Sequence, residues 1–189
     1  MNKYKIIYAD PPWSFNNKNT GGNMLSGANA HYNTMSVDDI CNLPISSIAD
    51  DDSVLFMWWV ASQPREAIRV AESWGFTVKT MSGFNWVKLT KNEKLHFGMG
   101  FWTRAGSELC LIATKGKPKR INGGIRSVEI TELDETIFAV NEKHSKKPQI
   151  FRDRIVELMG DVPRVELFAR ENVEGWSVFG DQVDNSISL

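Results

Sequence analysis

The feature that most constrains the fold is an uninterrupted apolar run, Val54 to Val60, which contains two adjacent tryptophans. A strand with one wet face would alternate, so this run predicts a strand that is covered on both faces and lies near the middle of a sheet. A helical pattern follows, with Ser62 as its predicted N-cap and Gly75 at its end. A fully buried strand followed by an amphipathic helix is typical of α/β proteins.

The alternation of strands and helices continues along the chain. Ser36 predicts the start of a short helix, with Asp39 at the capping-box offset, and residues 50–52 predict a turn. Lys147 and Pro148 predict a helix that ends at Gly160. Further strands are predicted at residues 6–9, once or twice within 76–88, and at 109–114, 164–169 and 176–180. We therefore expect one domain over residues 1–189, an α/β fold in three layers with a parallel or mixed sheet.

Composition limits the classes of partner. The 189 residues carry 22 Lys and Arg against 23 Asp and Glu, a formal net charge of -1, so any nucleic-acid contact must rest on a local basic surface. Neither a secretory signal nor an apolar segment of membrane-spanning length is present. The two cysteines lack metal or redox spacing, and His31, His96 and His144 are too scattered for a metal site. We expect a cytoplasmic protein with no metal and no membrane contact.

The tetrapeptide Asp10-Pro11-Pro12-Trp13 directly follows a predicted strand. Ligands of open α/β sheets bind at the carboxyl ends of strands, so this tetrapeptide is predicted to lie at a ligand site. The Asp10 carboxylate and the Pro11 carbonyl are acceptors for both hydrogens of an exocyclic amine, and neither proline has an N–H. Trp13 can stack on a flat ring for about 1 to 3 kcal/mol. The pattern indicates a nucleobase site, and the alternative is a strand-ending turn around a core tryptophan.

A basic segment follows the predicted strand at residues 109–114. Residues 115–126 hold five positive charges and no negative ones, and their Pro and Gly residues keep the segment open. Lys117, Lys119 and Arg120 are therefore predicted to bind phosphates of a nucleic acid. The alternative is a solvated surface loop.

Two segments lack helical or strand patterns, and they are candidates for clamping the target base if that base must be rotated out of a duplex. Residues 14–35 are rich in Asn and Gly, and loops of this length are usually functional or disordered. Residues 91–106 have no clear period, so their Phe97, Phe101 and Trp102 fit either a lid or the core. Trp86 and Trp102 are also candidates for the base pocket.

An ordered series of motifs gives the chain a family resemblance. The series comprises Asp10-Pro11-Pro12-Trp13, residues 31–36, 56–58, 74–76, 85–88, 108–111, 115–116, 144–148 and 166–170, and Gly180-Asp181-Gln182. Taken together it resembles the adenine methyltransferases of the MT-A70 family, which use S-adenosylmethionine to methylate the exocyclic amine of adenine in DNA or RNA. The resemblance implies a Rossmann-like methyltransferase fold, three layers α-β-α with a mostly parallel sheet, whose catalytic motif precedes the main cofactor strand.

The resemblance also implies roles for particular residues. Asp10 and the Pro11 carbonyl would hold the adenine amine, with Pro12 and Trp13 completing the catalytic motif. Lys147 would face either the carboxylate of the cofactor or the reacting centre. Tyr32 and Trp86 would contact the substrate, while the cofactor would contact Ala9, Asp10, Arg170, Asn172, Asp181 and Gln182. The Gly-rich turn of other Rossmann enzymes is absent after Phe168, so cofactor binding would depend on side chains.

Several alternatives remain open at this stage. The short chain carries no appended RNA-binding module, which favours DNA as the substrate, with RNA adenosine as the nearest alternative. Cytosine is less favoured, because related enzymes that act on cytosine usually have Ser at the position of Asp10. An inactive methyltransferase-like subunit is a third possibility, although the intact tetrapeptide and Lys147 argue against it. We expect a monomer or a homodimer.

Overall fold

The computed structural model describes residues 3–14, 34–98, 100, 102–132 and 146–189. The described part of the chain forms seven strands and four helices. The strands are β1 (Tyr4–Ala9), β2 (Ala49–Trp59), β3 (Thr77–Leu89), β4 (Ser107–Lys115), β5 (Val128–Glu132), β6 (Arg164–Leu167) and β7 (Ser177–Phe179). The helices are α1 (Val37–Asn42), α2 (Ile45–Ile48), α3 (Pro64–Ser73) and α4 (Gln149–Met159).

All seven strands belong to one sheet in the order β5-β3-β4-β2-β1-β6-β7. Strand β1 pairs in parallel with β2 and β6, and the pairs β6–β7 and β3–β5 are also parallel. Strand β4 runs antiparallel to both of its neighbours, β2 and β3. The carboxyl ends of the other six strands therefore share one edge of the sheet, which we call the carboxyl edge, and β4 contributes its amino end to that edge. The opposite side is the amino edge.

The three-layer prediction is confirmed by the packing of β2. Its Leu55 and Met57 are fully buried in a core shared with α1 and α3. The alternate residues Val54, Phe56 and Trp58 lie in a second core, where α4 packs with Phe151, Ile155 and Met159. Successive strand residues point to opposite faces, so the continuous apolar run serves both cores at once.

The start of α1 and the end of α3 lie where the sequence predicted them, and the start of α3 needs correction. The hydroxyl of Ser36 accepts a hydrogen bond from the Asp39 backbone N–H at 3.1 Å, which confirms the predicted cap of α1. Gly75 follows α3 with a φ of 87°, a conformation that glycine adopts without strain. The prediction of Ser62 as N-cap was wrong, because Gln63 occupies that position and Pro64 is the first helical residue.

Two strand predictions also need correction. Residues 50–52 do not form a separate turn but lie within β2, where the pairing with β1 shifts register between Tyr4 and Ile6. This irregularity absorbs the extra residues, and the Asp50 side chain accepts a hydrogen bond from the Asp52 N–H at 3.0 Å. Strand β5 was not predicted, although its residues alternate between apolar and polar; its apolar residues Val128 and Ile130 are exposed at the edge of the sheet. No helix among the described residues is long and apolar enough to span a membrane.

Candidate active site

Side chains that were distant in sequence meet at the carboxyl edge. Asp10 follows the last residue of β1, and Lys88 lies near the end of β3. Glu108 is the second residue of β4, which reaches the same edge because β4 runs in the opposite direction. Lys147 precedes α4, whose chain leads back toward the start of β6. Sheet direction therefore brings these four charged side chains to one place.

The tetrapeptide 10–13 is a tight turn with its carbonyl groups partly engaged. The backbone N–H of Trp13 donates to the Pro11 carbonyl at 2.9 Å, and the Met35 N–H donates to the Pro12 carbonyl at 3.0 Å. A carbonyl oxygen has two lone pairs, so Pro11 keeps the capacity to accept a second hydrogen bond. Pro12 is thus held from both sides, which fixes the path of the chain after Asp10.

Trp13 does not offer the open stacking face that the sequence predicted. Its side chain packs in the first core and is only 5% exposed. Its indole N–H donates to the carbonyl of Trp58 at 3.1 Å. The alternative, a strand-ending turn around a core tryptophan, describes this side chain correctly, while Asp10 beside it stays partly accessible.

Lys147 lies directly beside Asp10 at the carboxyl edge. Its Nζ is 2.6 Å from Oδ2 of Asp10 and 3.1 Å from Oε2 of Glu108. It also lies over the ring of Trp58, 5.3 Å from the centroid. Burial alone would lower the pKa of Lys147, but the two carboxylates raise it above its usual value. Lys147 is therefore a fixed cation and not a proton acceptor.

Glu108 and Lys88 were not assigned roles from the sequence. Lys88 forms an ion pair with Oε1 of Glu108, so the two oxygens of Glu108 are each engaged by a different lysine. Although burial opposes the charge, Lys147 and Lys88 lower the pKa of Glu108 to about 2. The available signal was an acidic residue placed directly before the apolar residues 109–113. Its meaning depends on the direction of β4, which the sequence does not show.

A second buried ion pair fixes α4, and hence Lys147, against the sheet. The guanidinium of Arg152 donates to both oxygens of Glu166 on β6, at 2.7 and 2.9 Å. Such bidentate pairs restrict geometry as well as contributing energy. On the sheet side, Phe151 packs edge-on against Trp58 with ring centroids 4.8 Å apart. The amino end of α4 is thereby held over the carboxyl edge.

The residues predicted to bind the cofactor follow β1, β6 and β7 at the same edge. Ala9 pairs with Leu167 of β6, and the Ala169 N–H donates to Phe179 of β7 at 3.0 Å. A Cβ at Gly180 would lie 2.2 Å from the Ala169 carbonyl oxygen, so the two strand-end segments pack in direct contact. Phe168 has a φ of 61°, a strained backbone of the kind that recurs at ligand sites.

This arrangement fits S-adenosylmethionine. The segments after β6 and β7 touch, and they carry a guanidinium, two amides and a carboxylate, groups suited to ribose hydroxyls and a purine ring. All four belong to residues that are at least partly accessible, namely Arg170, Asn172, Asp181 and Gln182. Among the residues that the structure describes, no three or more His, Cys, Asp or Glu side chains are placed so that they could bind a metal ion.

The described residues that were predicted to bind substrate do not form one surface. Trp86 is 4% exposed, lies beneath the Lys88 ammonium and donates from its indole to the Thr131 hydroxyl at 2.7 Å, so it is a core residue rather than a pocket wall. Tyr32 lies outside the described residues, as does most of the segment 14–35. Lys117, Lys119 and Arg120 are exposed but follow the carboxyl end of β4, at the amino edge.

The segment 91–106 connects β3 to β4 at the carboxyl edge. Its described aromatic side chains, Phe97 and Trp102, are 74% and 93% exposed, so they are not part of the core. The segment is hydrogen-bonded to the backbone of Lys88. The Lys88 carbonyl accepts from the His96 N–H, and the Lys88 N–H donates to the Gly106 carbonyl, each at 2.9 Å. Phe101 lies outside the described residues.

Comparisons with known proteins identify the family of the chain. The family model MT-A70 matches residues 4–182. The type II methyltransferase M.MunI from Mycoplasma sp is 32% identical over 99% of this chain and 81% of its own length. The human N(6)-adenosine-methyltransferase catalytic subunit METTL3 is 27% identical over 97% of this chain, which spans 29% of that protein. The mouse N(6)-adenine-specific methyltransferase METTL4 is 27% identical over 95% of this chain and 37% of its own length. The chain therefore belongs to the MT-A70 family, the S-adenosylmethionine-dependent methyltransferases of the N6 amine of adenine.

Proposed function

We propose that this chain methylates the N6 amine of adenine in DNA, with Asp10 as the residue that holds the amine. The observation that carries the proposal is the position of Asp10 at the carboxyl end of the interior strand β1, in a 2.6 Å ion pair with Lys147. A carboxylate and the neighbouring Pro11 carbonyl can accept the two N–H bonds of one exocyclic amine. That geometry orients the nitrogen lone pair outward.

The residues of this chain act by orientation and electrostatics. The amine of adenine is a weak nucleophile, because its lone pair is delocalised into the ring. Asp10 and Pro11 favour the reactive geometry by holding both hydrogens, and positioning of this kind is worth several kcal/mol of barrier. Lys147 supplies a buried positive charge beside the Asp10 carboxylate in the structure.

S-adenosylmethionine supplies the methyl group when it is bound. We propose that Ala9 and Asp10 contact it through their backbone, and that Arg170, Asn172, Asp181 and Gln182 bind its ribose and adenine parts. These residues follow three neighbouring strands at the carboxyl edge, so the bound cofactor would lie beside Asp10.

The preference for DNA rests on the pattern of similarity. The chain spans 81% of a type II methyltransferase but 29% of METTL3, with 32% and 27% identity respectively. We take the type II designation to indicate a DNA substrate. An adenine within a duplex must first be rotated out of the stack at a cost of a few kcal/mol. The segments 14–35 and 91–106 are proposed to hold the extruded base.

RNA adenosine remains the second candidate substrate, because several relatives are named N(6)-adenosine-methyltransferases. We further propose that the protein is cytoplasmic and acts as a monomer or homodimer. The partly buried cluster of Asp10, Glu108 and Lys147 argues against an inactive subunit, since a protein without catalysis gains little from three charges at a strand edge.

One experiment separates these substrates. The protein is incubated with methyl-labelled S-adenosylmethionine and matched DNA and RNA strands of equal sequence, and each nucleic acid is digested to nucleosides. We expect label in N6-methyldeoxyadenosine from the DNA. Label mainly in RNA would replace DNA by RNA as the substrate. Label on cytosine, or on neither nucleic acid, would contradict the proposed function.

A further inference from the structure

The position of Lys147 raises a conflict with the proposed role of Asp10. Nζ of Lys147 lies 2.6 Å from Oδ2 of Asp10, where a hydrogen of the adenine amine would also bind. A carboxylate has about four lone-pair sites, so the amine can bind beside the ammonium, but the ammonium partly neutralises the carboxylate and makes it a weaker acceptor for the amine. The amine therefore binds more strongly when Lys147 gives up part of this contact.

Glu108 provides a second carboxylate that can receive Lys147. Its Oε2 already lies 3.1 Å from Nζ of Lys147, so a small movement of the ammonium is enough to transfer its main contact. Glu108 faces the same side of the sheet as Trp86, its register partner on β3, and this side is the one that α4 and Lys147 cover. The acceptor is therefore in place before any substrate arrives.

Lys88 holds that acceptor in position. It pairs with Oε1 of Glu108, which leaves Oε2 directed to Lys147. Its ammonium also lies 4.5 Å from the centroid of the Trp86 ring, and hydrogen bonds to His96 and Gly106 fix its backbone. Lys88 and Glu108 are thus carried by neighbouring strands, which are more rigid than loops.

We propose that Lys147 shifts its main contact from Asp10 to Glu108 when the target amine binds, and that Lys88 is a positioning residue that keeps Glu108 ready to receive it. This inference rests on the proposed function, because it assumes that Asp10 accepts the amine. The charges of the cluster balance throughout the shift, with two lysines facing two carboxylates. If Glu108 is neutralised, Asp10 stays the favoured carboxylate partner of Lys147, and the amine binds less well.

The test compares Glu108→Gln and Lys88→Met with the wild type in steady-state methylation. Nucleic-acid affinity comes mainly from backbone phosphates, so KM for the nucleic acid and the dissociation constant of S-adenosylmethionine should change by less than about twofold. The turnover number kcat should fall on the order of 10-fold to 100-fold for Glu108→Gln, as for the loss of a charged hydrogen bond. It should fall roughly threefold to tenfold for Lys88→Met, and Lys88→Arg should restore most of the loss.

Glu129→Gln is the matched control. Glu129 is the register partner of Trp86 on the other side, in β5, and it forms an ion pair with Arg154 at 2.6 Å. This variant loses a similar strand carboxylate that is distant from Asp10, so its kcat should equal that of the wild type. Thermal unfolding of all the variants checks that they fold.

Each outcome bears on the inference. An inactive wild type would contradict the proposed function itself. With an active wild type, the inference is overturned if kcat is unchanged in Glu108→Gln and Lys88→Met, if only KM rises, or if Lys88→Arg fails to restore turnover. If Glu108→Gln does not fold, the pair Lys88→Met and Lys88→Arg decides. Loss of the fold in both Glu108→Gln and Lys88→Met would assign the pair a structural role and overturn the inference.

Discussion

The two edges of the sheet use the same residue types with different results. At the carboxyl edge, Lys147 and Asp10 are 2.6 Å apart, with side chains that are 4% and 20% exposed. At the amino edge, Lys115 and Asp51 are 3.9 Å apart, and the aspartate is fully exposed. A buried ion pair is costly to break, whereas an exposed pair contributes little. Position in the sheet, and not residue type, separates the candidate active site from the ordinary surface.

The largest effect is expected from Lys147→Met. The substitution leaves the carboxylates of Asp10 and Glu108 without the cation that they share. Removal of one partner from a buried ion pair costs about 3 to 5 kcal/mol, so the free energy of unfolding should fall by that amount. Methylation should also be lost. Chemical denaturation and a methyl-transfer assay measure the two effects. A variant with wild-type stability would contradict the claim that the ion pair at the carboxyl edge contributes more to stability than the pair at the amino edge.

Loss of the Glu108 carboxylate should change the free energy of unfolding by a smaller amount, and this amount should depend on pH. Its folded pKa of about 2 lies below the ordinary value of 4.5, so its charge stabilises the fold above pH 4.5 and this contribution is lost as the pH falls through about 2. Glu108→Gln should therefore be less stable than the wild type at pH 6, and the difference should shrink steadily toward pH 2. Unfolding by urea at several pH values checks this, and a difference that is independent of pH would contradict it.

The basic segment at the amino edge tests whether that edge takes part in substrate binding. The triple substitution of Lys117, Lys119 and Arg120 by Ala should leave kcat unchanged, because the paired part of β2, Ser53 to Trp59, separates the two edges by about 20 Å. If these side chains bind phosphates as predicted, KM for the nucleic acid should rise a few-fold and its salt dependence should weaken. A fall in kcat would contradict the separation of the edges, and an unchanged KM would identify the segment as an ordinary surface loop.

The smallest effect is expected from Asp51→Asn, which breaks the exposed pair with Lys115. Pairs of this kind contribute about 0 to 1 kcal/mol, so the free energy of unfolding should change by less than that. Turnover should not change. The same denaturation series that includes Lys147→Met measures it, and a loss comparable to that of Lys147→Met would show that burial is not the deciding difference.

Sequence patterns predicted the parts of the molecule that local rules determine. The apolar run 54–60 predicted a strand buried on both faces, and the tetrapeptide after β1 predicted a charged turn at the carboxyl edge. The direction of β4 could not be predicted in this way, because it depends on pairing between distant strands. The role of Glu108 was missed for this reason. The basic segment 115–126 was associated with the substrate site, although it lies at the opposite edge.

Side-chain burial was the other limit on prediction. Trp13 and Trp86 belong to residue types that stack on bases, and their positions beside charged residues suggested a pocket. Both instead fill the core and support the residues above them, with Lys88 lying over Trp86 and the indole of Trp13 bonded to Trp58. Whether a tryptophan faces a ligand or the core is decided by tertiary packing, which a local motif does not contain.

The central claim is that Asp10 holds the amine that receives the methyl group. The most direct test measures methyl transfer and cofactor binding for Asp10→Ala, with Asp51→Ala as a control that removes a carboxylate from the amino edge. We predict that Asp10→Ala transfers no methyl group but binds S-adenosylmethionine in calorimetry with nearly wild-type affinity, while Asp51→Ala does both. An Asp10→Ala protein that still methylates adenine would contradict the account.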